Sequence, residues 1–581
     1  MKRRLKRLVP TWFLTPGRRL AQTACLAAFA GLLFYVAFPY TARPGSTTDG
    51  WPSHYIDDLR EKEAVPAETF LLLDPLVGIA AAVASRSWTW PLAVAAAMLA
   101  LGVLIPRVFC SYVCPLGSLV DLFDWAVGRP FRRLVGRRRR TDSRPWWRYL
   151  RFGMLAAVLA AAALGVVLTG FLAAIPLVSR AMVFLIGPLQ TAAVRGWHQV
   201  PPWTAAQGIT AALFATVLGL GLLGRRFWCR CLCPTGAAFS LAGSLRATRK
   251  VDRRCKQCGK CIDVCPFDAI HPDISTRTAD CAHCRTCGAV CPTHSIQFGV
   301  FGLDDEDDDD SPQAPVEPRE PRAGSATRRD FLSAAASAAV GALAGAGTAV
   351  AASPAALGPV RPPGSLPEPL FLARCVRCGA CLRACPNDAL QPVGLSGPGL
   401  WTPQLAADWS GCEPSCSNCG QVCPTGAIRP LPIDEKRRAR MGLAVVDLQT
   451  CFPHAGTKEC RLCKDDCDSA GYAAIEFQPV HFQTDASGVP LDGTGFFAPR
   501  VLAERCVGCG ICQSRCHAAY VVKDKTLAIA AIRVETGPDK EDRLVEGSYR
   551  ALREQEEERR REEQRKLIEA SGGDSGFSTD F

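Results

Sequence analysis

Most cysteines of this 581-residue chain fall into six groups of four, which together account for 24 of its 30 cysteines. Only two or three residues separate most neighbours within a group, and thiols that close seldom meet the geometry of a disulfide with one another. The spacing C-x2-C-x2-C-x3-C-P of the first two groups is typical of ligands to 4Fe-4S clusters. We therefore predict six 4Fe-4S clusters. The ligands predicted for the first pair of clusters are Cys255, Cys258, Cys261, Cys265, Cys281, Cys284, Cys287 and Cys291.

In a two-cluster arrangement, the fourth cysteine of each group lies beyond a turn and reaches the neighbouring cluster. We therefore expect Cys291 to complete the cluster of the first group and Cys265 to complete that of the second. The same exchange is expected for Cys423 and Cys385 in the second pair of groups, where one extra residue lies before Cys416. Structural zinc held by four thiolates is the alternative, although zinc usually takes paired C-x2-C ligands. The ligands predicted for the second pair are Cys375, Cys378, Cys381, Cys385, Cys412, Cys416, Cys419 and Cys423.

The third pair of groups is less regular. Eight residues separate Cys451 from Cys460, and no proline follows Cys467 or Cys516. We still expect two cubane clusters, because the final group keeps the regular spacing and only the group before it is stretched. A three-iron or metal-free site is the alternative for the stretched group. The ligands predicted for the third pair are Cys451, Cys460, Cys463, Cys467, Cys506, Cys509, Cys512 and Cys516.

Two further cysteine pairs occur in C-x3-C-P motifs, called the CxxxCP motifs below, which belong to a longer repeat. The sequence from Arg107 to Gly117 matches the sequence from Arg226 to Gly236 position for position. Cysteines four residues apart lie on one face of a helix, but two thiols do not complete a cubane cluster. The pairs could act as redox thiols, join across the repeat around a metal, or pack at the membrane surface. They are Cys110 with Cys114 and Cys229 with Cys233.

Apolar residues make up 48% of the chain and are concentrated in its first half. Four apolar stretches approach the roughly 20 residues that a helix needs to cross a bilayer. Two shorter segments, around 70–83 and 181–194, are expected to be interfacial or re-entrant. The four stretches lie at residues 19–38, 88–106, 153–175 and 204–223.

The formal net charge of +12 comes mostly from basic residues beside these stretches. Basic residues precede the first stretch and fill the loop 129–140, whereas the loop 39–87 carries acidic residues. By the positive-inside rule, both ends of the helical module are cytoplasmic. This distribution favours a role in membrane orientation, and we expect no nucleic-acid partner.

A possible export signal follows the first two cysteine groups. The linker at 301–324 is acidic and Pro-rich, which predicts disorder. Arg328 and Arg329 then precede an Ala-rich apolar run that ends in small residues, as in a twin-arginine (Tat) signal. A plain fifth membrane helix is the alternative. Either interpretation sends the following residues across the membrane, and a signal in this place is either cleaved or retained as an anchor.

The predicted fold is multi-domain. A helical membrane module with four transmembrane helices plus the Tat-signal helix is joined to α+β domains of the bacterial-ferredoxin type, and the chain is expected in the bacterial cytoplasmic membrane. The predicted boundaries are 1–250 for the module, 251–300 for a cytoplasmic two-cluster ferredoxin, 301–324 for the linker, 325–353 for the signal or fifth helix, 354–535 for a periplasmic four-cluster polyferredoxin and 536–581 for a charged tail.

These motifs resemble two known families. Residues 1–300, with two CxxxCP motifs and a two-cluster ferredoxin pattern, resemble the NapH/MauN ferredoxin-type membrane proteins. Residues 325–530, with a twin-arginine motif and a C-x8-C-x2-C-x3-C group, resemble their NapG/MauM partners. The resemblance implies a quinol-oxidising module that feeds electrons through clusters to a periplasmic reductase, such as periplasmic nitrate reductase. In those families the two parts are commonly separate proteins, so the fusion is a departure that leaves signal cleavage and the terminal acceptor open.

The leading hypothesis is therefore quinol oxidation, with single electrons passed along the clusters. The expected partners are the lipid bilayer, the quinone pool and a periplasmic reductase or cytochrome. Asp74 and His198 lie beside the short apolar segments and are candidate proton acceptors at a quinol site, although a helix-capping Asp and an interfacial His are equally ordinary.

A competing hypothesis is an assembly or activation factor that reduces the metal centre of a periplasmic metalloenzyme. Under either hypothesis the predicted clusters lie on both sides of the membrane, yet no haem-ligand pair is evident in the spans. How electrons would cross the bilayer is left open by the sequence.

Overall fold

The fold is taken from a computed structural model. The expectations for the basic N-terminus, the first part of the acidic loop, the arginine run at 137–140, the linker at 301–324 and the end of the tail lie outside the residues that it describes. Below, the helical module is residues 15–243, the first cysteine-rich segment is 249–298 and the second cysteine-rich segment is 358–535. The described residues are 15–35, 65–104, 107–134, 145–243, 249–251, 255–298, 328–351, 358–395, 399–483 and 494–570.

The helical module consists of two similar halves, each of which ends in a CxxxCP motif. In the first half, Asp74 caps the helix Pro75–Ser85 by accepting a hydrogen bond of 3.2 Å from the amide of Leu76. A carboxylate at this position satisfies a free amide, and proline suits the first helical residue. The helix ends at Arg86, whose backbone is left-handed, and the chain turns into the helix Pro91–Leu104.

The second half repeats this arrangement with longer helices. The helix Ala174–Leu185 continues almost directly as Gly187–Arg195, and a capping box opens the helix Ala205–Gly219. Both halves reach their motif through a left-handed arginine, with φ of 51° at Arg107 and 49° at Arg226. The helices of the module are Pro16–Tyr35, Thr69–Leu72, Pro75–Ser85, Pro91–Leu104, Pro115–Phe123, Arg129–Leu134, Leu150–Ala163, Thr169–Leu172, Ala174–Leu185, Gly187–Arg195, Ala205–Gly219, Phe227–Cys231 and Pro234–Gly243, with π-helical turns at Phe109–Val113 and Asp124–Gly128.

The expectation of four membrane spans plus a signal helix was wrong in its count. The stretches at 88–106 and 153–175 contain helices of 14 residues each, about 21 Å long and shorter than a bilayer core of roughly 30 Å. The first stretch lies in a helix whose first turn carries two arginines, and the segment at 181–194 belongs to a 22-residue helix that is long enough to span. The helices that are long and apolar enough to cross a membrane, within the described part of the chain, are Ala174–Arg195, Ala205–Leu222 and Phe331–Thr348.

The helix of the possible export signal, Arg328–Ala351, packs lengthwise against the helix Leu150–Ala163. Its close approach depends on glycine. A Cβ atom at Gly341 would overlap the carbonyl oxygen of Gly153, and one at Gly345 would overlap the carbonyl oxygen of Ala157. Small residues four apart are typical of helix pairs whose backbones touch within a membrane.

The first cysteine-rich segment is a small α+β unit that contacts the end of the module where the CxxxCP motifs lie. Its two strands are antiparallel, with Arg249 opposite Phe298. Arg151 donates a hydrogen bond of 2.6 Å to Asp280, and the hydroxyl of Tyr112 donates one of 3.2 Å to the carbonyl of His283. The elements are the strands Arg249–Val251 and Ile296–Phe298 and the helices Lys260–Val264 and Thr286–Ala289.

The second cysteine-rich segment contains three two-stranded antiparallel sheets joined by short helices, and the charged helix Tyr549–Ala570 follows it. Tyr549 is fully buried at the start of that helix, and its amide donates a hydrogen bond of 2.6 Å to Glu435. The strand pairs are Leu390–Pro392 with Pro403–Leu405, Leu443–Val446 with Ile532–Glu535, and Ile475–Val480 with Phe496–Val501; the helices are Glu368–Arg374, Ala380–Arg383, Asn418–Gln421, Ile433–Lys436, Leu462–Ser469 and Ile511–Cys516.

One continuous hydrophobic core connects the helical module to the second segment. It runs from Phe109 and Cys114 beside the first motif, through Val178 and Val183, to Cys378 in the second segment. The two cysteine-rich segments therefore pack on different parts of the module, and the module's core lies between them.

Candidate iron-sulfur centres

The first cysteine-rich segment brings together the cysteines that were expected to exchange partners. Cys255, Cys258, Cys261 and Cys291 line one cavity of about 340 Å³, while Cys265 lies close enough to Cys284 for their charges to interact. Burial opposes ionisation of Cys291, but hydrogen bonds from the hydroxyls that follow it lower the pKa of its thiol to about 6. A thiolate at neutral pH is the form that binds iron.

The second segment shows the same exchange in its first half. Cys375, Cys378, Cys381 and Cys423 line a cavity of about 400 Å³. Burial raises the pKa of Cys378 to about 12, so the free thiol would be protonated, and the positive charge of a bound metal would be needed to ionise it. The partner group is formed by Cys385 together with the thiols of Cys412, Cys416 and Cys419, which are its electrostatic neighbours.

The irregular third pair has the same geometry despite its insertion. The residues after Cys451 turn back at once, with a hydrogen bond of 2.7 Å from the Ala455 amide to the Cys451 carbonyl. This turn takes up the insertion before Cys460. The stretched group and its exchanged partner, Cys451, Cys460, Cys463 and Cys516, line a cavity of about 420 Å³, and Cys467, Cys506, Cys509 and Cys512 line one of about 360 Å³.

These cavities fit a cluster better than a single ion. A zinc ion would draw four sulfur atoms to about 2.3 Å from one point. Among the described residues, no three His, Cys, Asp or Glu side chains converge in that way, and none of the 30 cysteines forms a disulfide. Thiols spaced around an apolar cavity suit a multi-iron cluster, which fills the space between its ligands.

The two CxxxCP motifs face each other and hold each other through their arginines. Arg226 of the second motif donates hydrogen bonds of 2.9 Å to the carbonyl of Cys110 and 3.1 Å to that of Gly117. In return, Arg107 donates one of 2.9 Å to the carbonyl of Gly236. A Cβ atom at Gly117 would lie 2.9 Å from the Cys110 carbonyl oxygen, and one at Gly236 would lie 3.1 Å from that of Cys229, so each motif needs its glycine where its own backbone folds back.

As a result, the four thiols of the two motifs are neighbours. Cys233 interacts electrostatically with Cys229, Cys110 and Cys114, and Cys114 with Cys110 and Cys229. Cys231, the extra cysteine of the second motif, is fully buried, and its main electrostatic partners are Arg230, Arg151 and Arg148.

The candidate quinol residues are not brought together. Asp74 is fully buried and accepts a hydrogen bond of 3.1 Å from Thr235, which follows the second CxxxCP motif directly. Asp74 is therefore inside the module, where Thr235 and the helix Pro75–Ser85 enclose it, and it is not at the module's surface. His198 is exposed in the turn Trp197–Gln199.

Sequence reasoning missed the buried charges around the motifs. Asp121 accepts hydrogen bonds from Arg18, Arg19 and Arg226, at 2.8 to 2.9 Å. The sequence did contain one signal for these charges, the arginine that opens both copies of the repeat. A charged side chain that is buried beside an apolar stretch needs a partner of opposite charge.

Family models match several of these regions. A model described as a 4Fe-4S binding domain matches residues 87–138 and 207–251, which contain the two CxxxCP motifs, and another of that description matches 250–271. A model described as a 4Fe-4S dicluster domain matches residues 374–427. The chain therefore carries iron-sulfur domains both in the helical module and in the two cysteine-rich segments.

Curated relatives decide the family. The chain is 37% identical to the methylamine utilization ferredoxin-type protein MauM of Paracoccus denitrificans over 186 residues, which are 31% of this chain and 77% of the relative. It belongs to the MauM family of ferredoxin-type proteins. The MauM protein of Methylophilus methylotrophus is also 37% identical, over 27% of this chain and 66% of its own length. The ferredoxin-type protein NapG of Escherichia coli is 36% identical, over 27% of this chain and 65% of its own length.

The MauM-family match leaves most of the chain outside it, because the aligned regions cover at most about a third of this sequence. No solved structure matches the chain. The family and its domains establish an iron-sulfur protein of the electron-transfer type.

Proposed function

We propose that the chain is a membrane-bound electron-transfer protein that oxidises quinol and passes the electrons to a periplasmic reductase, in a nitrate-reductase-like or methylamine-utilization system. In this proposal it fuses a NapH/MauN-like membrane part to a MauM-like part. The observation that carries the proposal is the direct packing of the second cysteine-rich segment on the helical module.

Buried polar contacts support that packing. Arg377, between two cysteines of the second segment, donates a hydrogen bond of 2.6 Å to the carbonyl of Val167 in the module. The fully buried Arg180 donates one of 3.2 Å to the carbonyl of Arg377, and Trp401 donates one of 2.9 Å to that of Ala206. The cysteine group that contains Cys378 shares a hydrophobic core with the module. Electrons released by quinol in the module would therefore have a short route to that group.

The proposed topology places the two segments on opposite sides of a bacterial cytoplasmic membrane, the first in the cytoplasm and the second in the periplasm. The helix Arg328–Ala351 would cross between them as a retained anchor, because Gly341 and Gly345 pack it closely against Gly153 and Ala157, and cleavage as a signal would leave this packing without a covalent link to the second segment. The 24 grouped cysteines would hold six 4Fe-4S clusters, which supply one-electron transfer when bound.

Of the two candidate quinol residues, Asp74 is the better placed to accept a proton. It lies in the interior of the module beside the CxxxCP motifs, and a carboxyl group in such a position is a functional candidate. Contacts from Leu76 and Thr235 fix its orientation. His198, at the exposed turn, would at most contact the membrane surface.

Anaerobic membranes test the proposal directly. Added quinol should bleach the cluster absorbance and produce the EPR signals of reduced clusters, and a periplasmic extract supplied with nitrate should restore the oxidised spectrum. An Arg377→Gln variant should slow the reduction of the second segment at least severalfold, whereas Arg500→Gln, at an exposed position, should not. Clusters that stay oxidised in the presence of quinol would refute quinol oxidation.

The assembly-factor alternative predicts a different defect. If the protein reduces the metal centre of a periplasmic enzyme during maturation, that enzyme should lack metal or activity when it is made in cells without this chain. If the enzyme is fully metallated and active with an artificial electron donor, yet receives no electrons from quinol, the assembly reading fails.

A further inference from the structure

We propose that the two CxxxCP motifs jointly hold a seventh cluster, a 4Fe-4S cluster bound by Cys110, Cys114, Cys229 and Cys233. Each matched 4Fe-4S region of the module contains only one motif, and one motif alone supplies too few thiols for a cubane. The structure brings the two halves together so that each supplies two ligands.

The convergence is built into the backbone. The arginines at the start of the two motifs share the same left-handed conformation and bond reciprocally to the opposite motif. The rings of Phe109 and Phe239 stack beside the motifs with centroids 5.4 Å apart. A reciprocal arrangement of this kind brings the two cysteine pairs beside each other between the halves, where their thiols are electrostatic neighbours.

Positive charge is in excess around the thiols, which favours an anionic group between them. In the described structure, five buried guanidinium groups beside the motifs share two buried carboxyl groups: three of them pair with Asp121 and two with Asp280. Uncompensated buried positive charge is costly. A 4Fe-4S core with four thiolate ligands is a net anion and would compensate it. The guanidinium groups are those of Arg18, Arg19, Arg107, Arg151 and Arg226.

One of these arginines has unused donors. Arg107 is 1% exposed, and its Nε and Nη1 atoms have no hydrogen-bond partner among the described residues; Nη1 lies 3.8 Å from Asp280. Its charge acts on both Cys110 and Cys233. Donors directed at cluster sulfurs are a common means of stabilising the reduced state.

Both motifs also place a cysteine at the start of a helix. Cys114 precedes the helix Pro115–Phe123 and Cys233 the helix Pro234–Gly243. The amide of Gly236 points to the Cys233 sulfur at 3.4 Å. The first amides of a helix have no partner within the helix, so both sulfur atoms lie beside backbone hydrogen-bond donors.

The position of the site explains how electrons could cross the module. Tyr112, within the first motif, bonds to His283 between two cysteines of the first segment. On the other side, the helix Ala174–Leu185 contacts both the helix after Cys114 and the helix Ala380–Arg383 of the second segment. The proposed cluster site does not depend on the proposed function. Its role in carrying electrons between the two cysteine-rich segments does rest on the proposed function. Each transfer would oxidise the donor cluster by one electron and reduce the acceptor cluster by one, with no bond made or broken.

Iron counting tests the site without any variant. Anaerobically purified, full-length protein should contain about 28 irons and as many acid-labile sulfides per chain, whereas six clusters alone would give about 24. A count near 24, an increment of only about two irons, or zinc in place of the extra iron would overturn the proposal.

Variants then locate the extra cluster. Cys233→Ala should lose about four irons together with one component of the Mössbauer spectrum, and Cys114→Ala combined with Cys233→Ala should lose no more than that. Cys231→Ala is the matched control, because this buried cysteine lies in the same motif but outside the site, and it should retain every iron. An equal count in Cys233→Ala and the control would refute the site even if quinol still reduced the other clusters. Conversely, a variant that loses this cluster while quinol still reduces the first segment normally would refute only the role of the cluster in electron transfer.

Discussion

The guanidinium group of Arg226 donates a hydrogen bond of 2.9 Å to the carbonyl oxygen of Cys110, which lies 116 residues earlier in the other half of the module. The same side chain bonds to both oxygens of Asp121, at 2.8 and 2.9 Å. This one arginine therefore connects the two CxxxCP motifs and neutralises part of the charge beside them.

Removing that arginine should destabilise the module strongly. Arg226→Gln leaves Asp121 without its bidentate partner and removes both contacts to the first motif, and breaking a buried ion pair costs roughly 3–5 kcal/mol. We expect a much lower thermal unfolding temperature for the detergent-solubilised protein. Arg561→Gln, in the exposed charged helix, is the control and should leave the unfolding temperature unchanged. Equal unfolding temperatures for both variants would contradict the role given to Arg226.

The packing of the helix Arg328–Ala351 makes a second prediction. Gly341→Leu and Gly345→Leu should separate it from Leu150–Ala163, because side chains there would overlap backbone oxygens, and overpacking costs about 1–3 kcal/mol. Gly347→Leu is the control, since no described residue lies within 4 Å of a Cβ atom at that position. Thermal unfolding should distinguish the three variants.

We also predict that the helix Arg328–Ala351 is not cleaved and stays in the wild-type chain. With a tag at each end, immunoblots of membranes should show a single polypeptide that carries both tags. Two separate products, each with one tag, would mean that the helix is cleaved as a signal.

The exchange of ligands in the stretched pair makes a third prediction. Cys451→Ala and Cys516→Ala should each remove about four irons, and combining them should remove no more, because both residues line one cavity. Combining Cys451→Ala with Cys467→Ala should remove about eight irons, since Cys467 lines the other cavity. If the first double variant loses eight irons, the two residues belong to different clusters.

A fourth prediction concerns how pH affects docking, meaning the contact of the first cysteine-rich segment with the helical module through Asp280 and Arg151. Burial disfavours the charged form of Asp280, but Arg151 and Arg107 outweigh it and hold the pKa of the carboxyl well below its usual range. A lowered pKa adds stability above the unfolded-state value of about 3.9, and this stability is lost only as the pH falls through the folded-state value.

Docking should therefore be constant from pH 8 to about pH 5 and weaken only in stronger acid. Hydrogen exchange of the backbone amides of residues 255–298 measures this contact. We expect these amides to stay fully protected from pH 8 to about pH 5. Asp280→Asn should lower the protection at every pH, because it removes the charge that pairs with Arg151. A loss of protection in the wild-type protein between pH 7 and pH 5 would contradict this account.

The sequence by itself determined the chemistry of this protein. Cysteine spacing is a local property, and three thiols within seven residues can reach one cluster whatever the surrounding fold. The exchange of Cys265 with Cys291 also followed from spacing, because the turn after each group is short. Hydropathy likewise located the helix around 204–223, where a long apolar run has no competing signal.

Only the tertiary structure decided what the two CxxxCP motifs do together. The partners of Cys110 lie in the second half of the module, and contacts between residues more than 100 positions apart leave no trace in spacing. The lengths of the helices were also misjudged, because breaks such as the one at Arg107 depend on the contact that its side chain makes with Gly236. Spacing specified the ligands of each cluster, whereas packing between the repeats created the shared site.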